Sequence, residues 1–146
     1  MTASLGFSNE ISDLLTQLAG VDAFKAHRVK FIMPIAHCLI APALQKKVDN
    51  TTDLINLWVL HSGIPQAESE MTVNITHSNI QIGKGYAVMA SLLLPSLWSK
   101  ENISALQLGL ASALSDYYSL PSKQVLVTTS IIESGLVVEN NQEVKW

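Results

Sequence analysis

Two runs of consecutive apolar residues divide the chain, PIAHCLIAP at 34–42 and AVMASLLLP at 87–95. Short runs of this kind, with little polar alternation, are typical of parallel strands that are buried on both faces. Each run is followed by a segment with helical spacing and then by a shorter strand-like run, at 71–76 and at 125–129. The pattern therefore predicts strand, helix and strand, repeated once.

The two predicted helices differ in how clearly their ends are marked. The second begins at Ser99, a good N-cap, and carries Glu101 in its first turn, where a carboxylate suits the helix dipole. The first is predicted over 53–61 and ends before a turn at 62–65, whereas the second ends before Pro121. The apolar stripe of the second helix consists of Ile103, Leu106, Leu110, Leu114 and Tyr117.

The two halves of this pattern match as an internal repeat. The nine residues of the two apolar runs overlay one on the other, and both runs close on proline. Corresponding strands lie 53 residues apart, and the prolines that follow the helices lie 56 apart. We interpret this as a duplicated β-α-β unit, with halves at about 33–82 and 86–146 joined at Gly83-Lys84-Gly85.

The two ends of the chain lie outside the repeat. Residues 1–32 are predicted to form an N-terminal extension with a short amphipathic helix, capped by Ser8 or Asn9. At the other end, Asn140-Asn141 tolerates positive φ, so a terminal hairpin is predicted. Trp146 is expected to pack on a neighbouring element, either of its own chain or of another subunit. The stripe of the N-terminal helix consists of Ile11, Leu14, Leu15 and Leu18.

The composition narrows the class of protein. Only 14% of the residues are charged although 48% are apolar, so we expect other subunits of a homo-oligomer to cover part of the surface. A net charge of −3 with a single arginine, Arg28, argues against a nucleic-acid partner. No apolar stretch approaches the about 20 residues that span a bilayer, and no basic signal-peptide start is present. We therefore predict a cytoplasmic protein without a membrane partner.

A repeated β-α-β order has two main solutions. In the ferredoxin-like sandwich the sheet is antiparallel, whereas in the tautomerase arrangement each unit keeps its two strands parallel. The continuous apolar runs favour the second, although a ferredoxin-like module in an oligomer could mimic them. The predicted fold class is α/β (α+β), with a four-stranded mixed sheet, two helices on one face and the N-terminal helix in addition.

Three features in this order resemble the tautomerase superfamily, and within it 5-carboxymethyl-2-hydroxymuconate isomerase. They are the Met33-Pro34 pair that opens the first strand, the turn Ser62-Gly63-Ile64-Pro65, and the strand from Tyr86-Ala87-Val88 before a long helix. The resemblance covers residues 33–146. It implies a homotrimer without a cofactor that isomerises a small keto or enol acid through an amino-terminal proline, which here corresponds to Pro34.

The chemistry of such a proline depends on its nitrogen being free. A free α-amine has a pKa of about 7.7–8.0, and burial in an apolar pocket lowers it, which makes the amine a general base near neutral pH. Inside the chain, the nitrogen of Pro34 is a tertiary amide without useful basicity. Three possibilities stay open: translation starts at Met33, the leader is cleaved, or the leader is permanent and the chemistry is disabled.

The remaining candidates carry weaker signals. No arginine of this chain corresponds to the arginines that bind acidic substrates in the family. Lys84 is therefore the one candidate for contact with an anion, although a solvent-exposed lysine in a turn is the simpler interpretation. No two histidines have the i, i+4 spacing of a pair of zinc ligands on a helix, so no metal site is predicted. We interpret Cys38 as a small buried residue, and Tyr117 and Tyr118 as packing residues. The histidines are His27, His37, His61 and His77.

The alternative function of the protein is that of a non-catalytic oligomeric domain, either a degenerate tautomerase or a ferredoxin-like binding module.

Overall fold

A mixed four-stranded sheet forms one layer of the molecule. The computed structural model describes residues 33–44 and 51–146. In this part of the chain the sheet has the order β2-β1-β3-β4; β1 is parallel to β2, β3 is parallel to β4, and the central pair is antiparallel. The main elements are β1 (Ile35–Ile40), α1 (Thr51–Ser62), β2 (Thr72–His77), β3 (Val88–Pro95), α2 (Lys100–Tyr118) and β4 (Val125–Ile132).

This topology decides between the two folds that the sequence left open. In each half the two strands are parallel neighbours with a helix between them, as the tautomerase arrangement requires. The ferredoxin-like alternative is wrong, because its sheet is antiparallel. The predicted mixed sheet with two helices on one face is confirmed. The predicted N-terminal helix and His27 fall outside the described residues.

The core lies between the sheet and the two helices. Alternate residues of β1 and β3 face it, and their partners on the helices are large aliphatic and aromatic side chains. Trp58 and Trp98 are both buried, and the Trp58 indole Nε1 donates a hydrogen bond to the Leu106 carbonyl at 2.9 Å. The fully buried members include Ala36, Cys38, Ile40, Leu54, Val88, Leu92, Leu94, Leu106, Leu110 and Leu114.

The repeat is present, but its overlay in the sequence is wrong by one residue. Ile35 aligns with Val88 in the overlay, yet the buried positions alternate in opposite phase in the two strands. A one-residue shift moves every side chain of a strand to the other face. The structural equivalent of Pro34 is therefore Val88 or Tyr86, rather than Ala87.

The helices pack closely where α2 passes the end of α1. A Cβ added at Gly109 would lie 2.7 Å from the backbone nitrogen of Ser62 and 2.8 Å from its Cα. Beside this crossing, His61 Nε2 lies 2.7 Å from Asp116 Oδ2 and links the two helices at the surface. The crossing fixes the relative position of the helices over the sheet.

The ends of α2 follow the predicted signals. The Ser99 hydroxyl accepts a hydrogen bond from the backbone N–H of Asn102 at 3.1 Å, as expected for an N-cap. Ser119 ends the helix in the left-handed region with φ 56°. Both boundaries agree with the prediction.

The terminal hairpin also forms as predicted. Its strands are β5 (Val137–Glu139) and β6 (Gln142–Val144), and Asn140 and Asn141 both have positive φ in the turn. Trp146 packs back onto its own chain, because its indole Nε1 donates to the Ser96 hydroxyl at 2.9 Å. The expected packing of Trp146 on a neighbouring element is thus made within the protomer.

Among the helices of the described ranges, none combines the length and the apolar character that crossing a membrane requires.

Candidate functional site

Pro34 lies at the head of β1, between the other central strand and β2. Its carbonyl accepts a hydrogen bond from the backbone N–H of Thr72 at 2.9 Å, which fixes it beside the start of β2. On the other side, the antiparallel pairing of Ile35 with Leu93 places Pro34 near the end of β3. The side chain of Pro34 is less than 2% exposed. The predicted base is therefore held rigidly and is enclosed.

The residue before Pro34 has an unusual backbone. Met33 has φ 69°, in the left-handed region that a side chain disfavours. The chain therefore turns sharply as it enters β1, instead of continuing the line of the strand. The nitrogen of Pro34 is acylated at this turn, so it has no basicity in the full-length chain.

The turn after β3 lies at the end of the sheet that holds Pro34. Ser96 follows β3, and its backbone N–H donates to the Ile132 carbonyl at 2.8 Å. The Trp146 indole covers Ser96. The buried indole Nε1 of Trp98, in the following turn, has no acceptor among the described residues. The sequence did not reveal this N–H, because no pattern along the chain indicates where an indole donor points.

Lys84 lies at the opposite end of the sheet. It belongs to the loop before β3, and the first residue of β3, Val88, pairs with Ile40 at the far end of β1. The Lys84 ammonium sits 5.2 Å from the centre of the Tyr86 ring, in the range of a cation–π contact. One protomer therefore does not bring Lys84 and Pro34 together.

The described histidines occupy three separate places. His37 lies on the sheet face away from the helices, His61 pairs with Asp116 on the helix layer, and His77 ends β2. Within the described ranges, no group of three histidine, cysteine or acidic side chains is placed to hold a metal ion. His37 and Cys38 point to opposite faces of β1.

Cys38 and Tyr118 form a buried pair of weak acids beneath α2. Burial raises the pKa of the Cys38 thiol from 9.0 to about 12. Burial, followed by the neighbouring Tyr117 and Cys38, raises the pKa of Tyr118 from 10.0 to about 12. The Tyr117 and Tyr118 rings meet edge to face, with centroids 5.0 Å apart. Both groups stay protonated at neutral pH, which fits packing rather than nucleophilic or acid–base roles.

Cys38 should therefore resist alkylation in the folded protein. With a pKa of about 12, only about one thiol in 10⁴ is ionised at pH 8, and the side chain is fully buried. We expect iodoacetamide at pH 8 to modify it at least about 10³-fold more slowly than in guanidinium chloride, because reaction must wait for an opening of the core. Mass spectrometry of timed samples measures both rates. Native labelling at the rate of the unfolded chain would contradict the burial of Cys38.

Solved structures of other proteins share this architecture. No family model and no curated protein match the sequence. The N1 member of the cis-3-chloroacrylic acid dehalogenase family aligns with a TM-score of 0.60 at 17% identity, over 76% of this chain and 83% of that one. Native fused 4-OT aligns with a TM-score of 0.59 at 15% identity, over 75% and 95%. Macrophage migration inhibitory factor of Toxoplasma gondii aligns with a TM-score of 0.52 at 12% identity, over 75% and 99%.

These similarities and the strand order define the class: the described part of the chain has the fold of the tautomerase superfamily. One polypeptide supplies both β-α-β units, and the alignment covers 95% of native fused 4-OT. The narrower resemblance to 5-carboxymethyl-2-hydroxymuconate isomerase stays a prediction.

Proposed function

We propose that this protein is a cofactor-independent tautomerase-type isomerase that moves a proton next to a carbonyl group, with Pro34 as its base. The observation that carries the proposal is the position of Pro34 at the head of β1, with its carbonyl fixed by Thr72. One protein of similar fold, Pt0534, with a TM-score of 0.54 at 11% identity, is inactivated by 2-oxo-3-pentynoate, an oxo compound. A small keto or enol acid is accordingly the proposed substrate.

The proposed reaction begins with Pro34 as a free secondary amine. In an apolar site its pKa falls below the ordinary value of about 7.7–8.0, so that the neutral form is present near pH 7. The amine removes a proton from the carbon beside the carbonyl and returns it to the oxygen or to another carbon. This requires release of Pro34 from Met33 and exposure of its ring.

The proposal includes self-association as a homotrimer in the cytoplasm. The Q0 fused 4-OT, described as a wild-type symmetric trimer, aligns with a TM-score of 0.60 at 16% identity over 76% of this chain and 95% of that one. The low share of charged residues, 14%, supports burial of further surface between subunits. Lys84, at the far end of the sheet, would contact the substrate's anionic group only from a neighbouring subunit.

The second candidate is a non-catalytic oligomeric domain with a degenerate tautomerase fold. The burial of Pro34 and its peptide bond to Met33 favour this candidate for the full-length chain. The two candidates differ in the state of the chain in its natural host. In the first, Pro34 becomes an amino terminus; in the second, it never does.

The intact mass of the protein purified from its natural host tests this difference. A mass that corresponds to residues 34–146 supports the isomerase, because it frees the Pro34 nitrogen. A mass that includes Met33 and the preceding residues supports the non-catalytic domain. Amino-terminal sequencing of the same sample serves as a control, since it identifies the first residue directly.

A further inference from the structure

The peptide bond between Met33 and Pro34 lies at the head of a central strand. From Ile35 to Ile40, every residue of β1 has a partner in β2 on one side and in β3 on the other. The Pro34 carbonyl accepts a hydrogen bond from the Thr72 N–H at 2.9 Å, and the Pro34 side chain is less than 2% exposed. The sheet therefore already holds the residue that directly follows the bond.

Met33, on the other side of the bond, has a strained backbone. Its φ of 69° lies in the left-handed region, where Cβ crowds the following carbonyl oxygen. A residue before proline is in addition restricted to extended conformations, so this φ is disfavoured twice. Such a conformation persists only where the surrounding structure fixes it. The bond is thus presented in a turn, whereas a protease binds the residues around its cleavage site as an extended strand.

A free amine at Pro34 requires hydrolysis of this bond. Water adds across the amide, so that Met33 leaves with the new carboxylate and the Pro34 nitrogen takes up a proton to become a secondary amine. An enzyme that catalyses this step must bind the segment that begins at Pro34. In the folded chain β2 and β3 occupy both edges of that segment. The bond is therefore cut only after β1 leaves the sheet.

We propose that folding makes the residues before Pro34 a permanent block: once β1 has entered the sheet, the Pro34 amine is no longer produced. This inference rests on the proposed function and concerns the regulation of its base. The amine must then arise while the chain is unfolded, by removal of a single methionine from a chain that begins at Met33. The blocked and the free form are thus fixed at synthesis and do not interconvert after folding.

The size of the protection follows from the place of β1 in the core. Its residues Ala36, Cys38 and Ile40 are fully buried, and a central core strand opens only in the rarest fluctuations of a fold. Unfolded fractions of marginally stable proteins are about 10⁻³ to 10⁻⁶. Cleavage through such an opening is slowed by the fraction of time that the chain is open, so we expect protection of about 10³-fold or more.

Trypsin digestion of a full-length variant measures this protection. Trypsin does not cut before proline, so the variant carries Met33→Lys and Pro34→Ala, which place a cleavable bond at the same point. A peptide of residues 31–40 with both substitutions contains that bond without the fold. We expect the folded protein to be cut there about 10³-fold more slowly than the peptide. Lys84, exposed between two glycines, is the internal control and should be cut first. Mass spectrometry identifies the first cut of each molecule.

The outcome that overturns the protection is equally specific. Cleavage after residue 33 at the rate of the peptide, in a protein that circular dichroism shows to be folded, refutes the block. If the double variant does not fold, the wild-type chain is digested with a protease of broad specificity instead. Its smallest folded product should retain Met33, and a folded product that begins at Pro34 would refute the block.

The origin of the amine is tested in the natural host by intact mass. Met33→Leu removes the internal start and leaves a residue that methionine removal does not release, so it should abolish the form that begins at Pro34. Met1→Leu is the matched control and should leave that form unchanged. Persistence of the short form in Met33→Leu overturns the proposal, because the extension is then cleaved. Absence of the short form from the wild type contradicts the proposed function instead, and the trypsin rates then decide the block by themselves.

Discussion

A chain that begins at Pro34 should enolise an aryl pyruvate, and Pro34→Ala in that chain should lower kcat/KM by about 10²- to 10⁴-fold. The expected loss is large because alanine replaces the secondary amine that accepts the proton. Such a chain is made by starting translation at Met33, which is removed before a small residue such as proline. Steady-state rates of enol formation, followed by absorbance, give kcat and KM for both chains.

The pH profile of the same chain provides an independent readout. The base must be neutral, so kcat/KM should be constant above the pKa of the Pro34 amine and fall tenfold per pH unit below it. Full-length protein is the control, because its Pro34 nitrogen is an amide and should give no turnover at any pH. Equal activity of the full-length and shortened chains would contradict proline as the base. Inactivity of a folded shortened chain would favour the non-catalytic domain.

Gly109→Ala should destabilise the fold by about 1–2 kcal/mol. Alanine in place of glycine gains roughly 1 kcal/mol of helix propensity, but forcing a methyl group into a packed contact costs about 1–3 kcal/mol or more. Here the added Cβ would lie 2.7–2.9 Å from Ser62 backbone and Cβ atoms, and backbone cannot rotate away as a long side chain can. The steric cost exceeds the propensity gain, so α1 and α2 must separate. Urea denaturation measures the free energy of unfolding.

The matched control for this substitution is Leu108→Ala on the neighbouring position of α2. Leu108 is 64% exposed, so its truncation should change the free energy of unfolding by about 0.5 kcal/mol or less. A Gly109→Ala protein as stable as the wild type would show that the helix crossing relaxes without cost. Equal effects of both substitutions would point to the helix itself rather than to the crossing.

Much of the fold was predictable because its signals are local. Ser99 caps α2 through its own hydroxyl, and the Asn140-Asn141 turn needs only residues that tolerate positive φ. The face of each central strand was not predictable from the sequence. An uninterrupted apolar run carries no alternation, so only the packed helices decide which side is buried, and the overlay of the repeat slipped by one residue.

The candidate site was predictable in position but not in environment. The Met33-Pro34 pair marks the start of β1, and the structure places it there. The burial of Pro34 and the left-handed turn at Met33 depend on residues distant in sequence. The separation of Lys84 from Pro34 depends on strand direction: β1 and β3 are antiparallel, so the loop before β3 lies at the far end from the start of β1.

The one-residue shift between the two halves also limits the number of reactive amines that the Pro34-like positions of one chain can provide. The position that corresponds to Pro34 in the second half, Val88 or Tyr86, holds an ordinary secondary amide in mid-chain, which no processing of the amino terminus could liberate. Each polypeptide consequently offers at most one reactive imino group. A three-chain particle would therefore hold three such groups, never six.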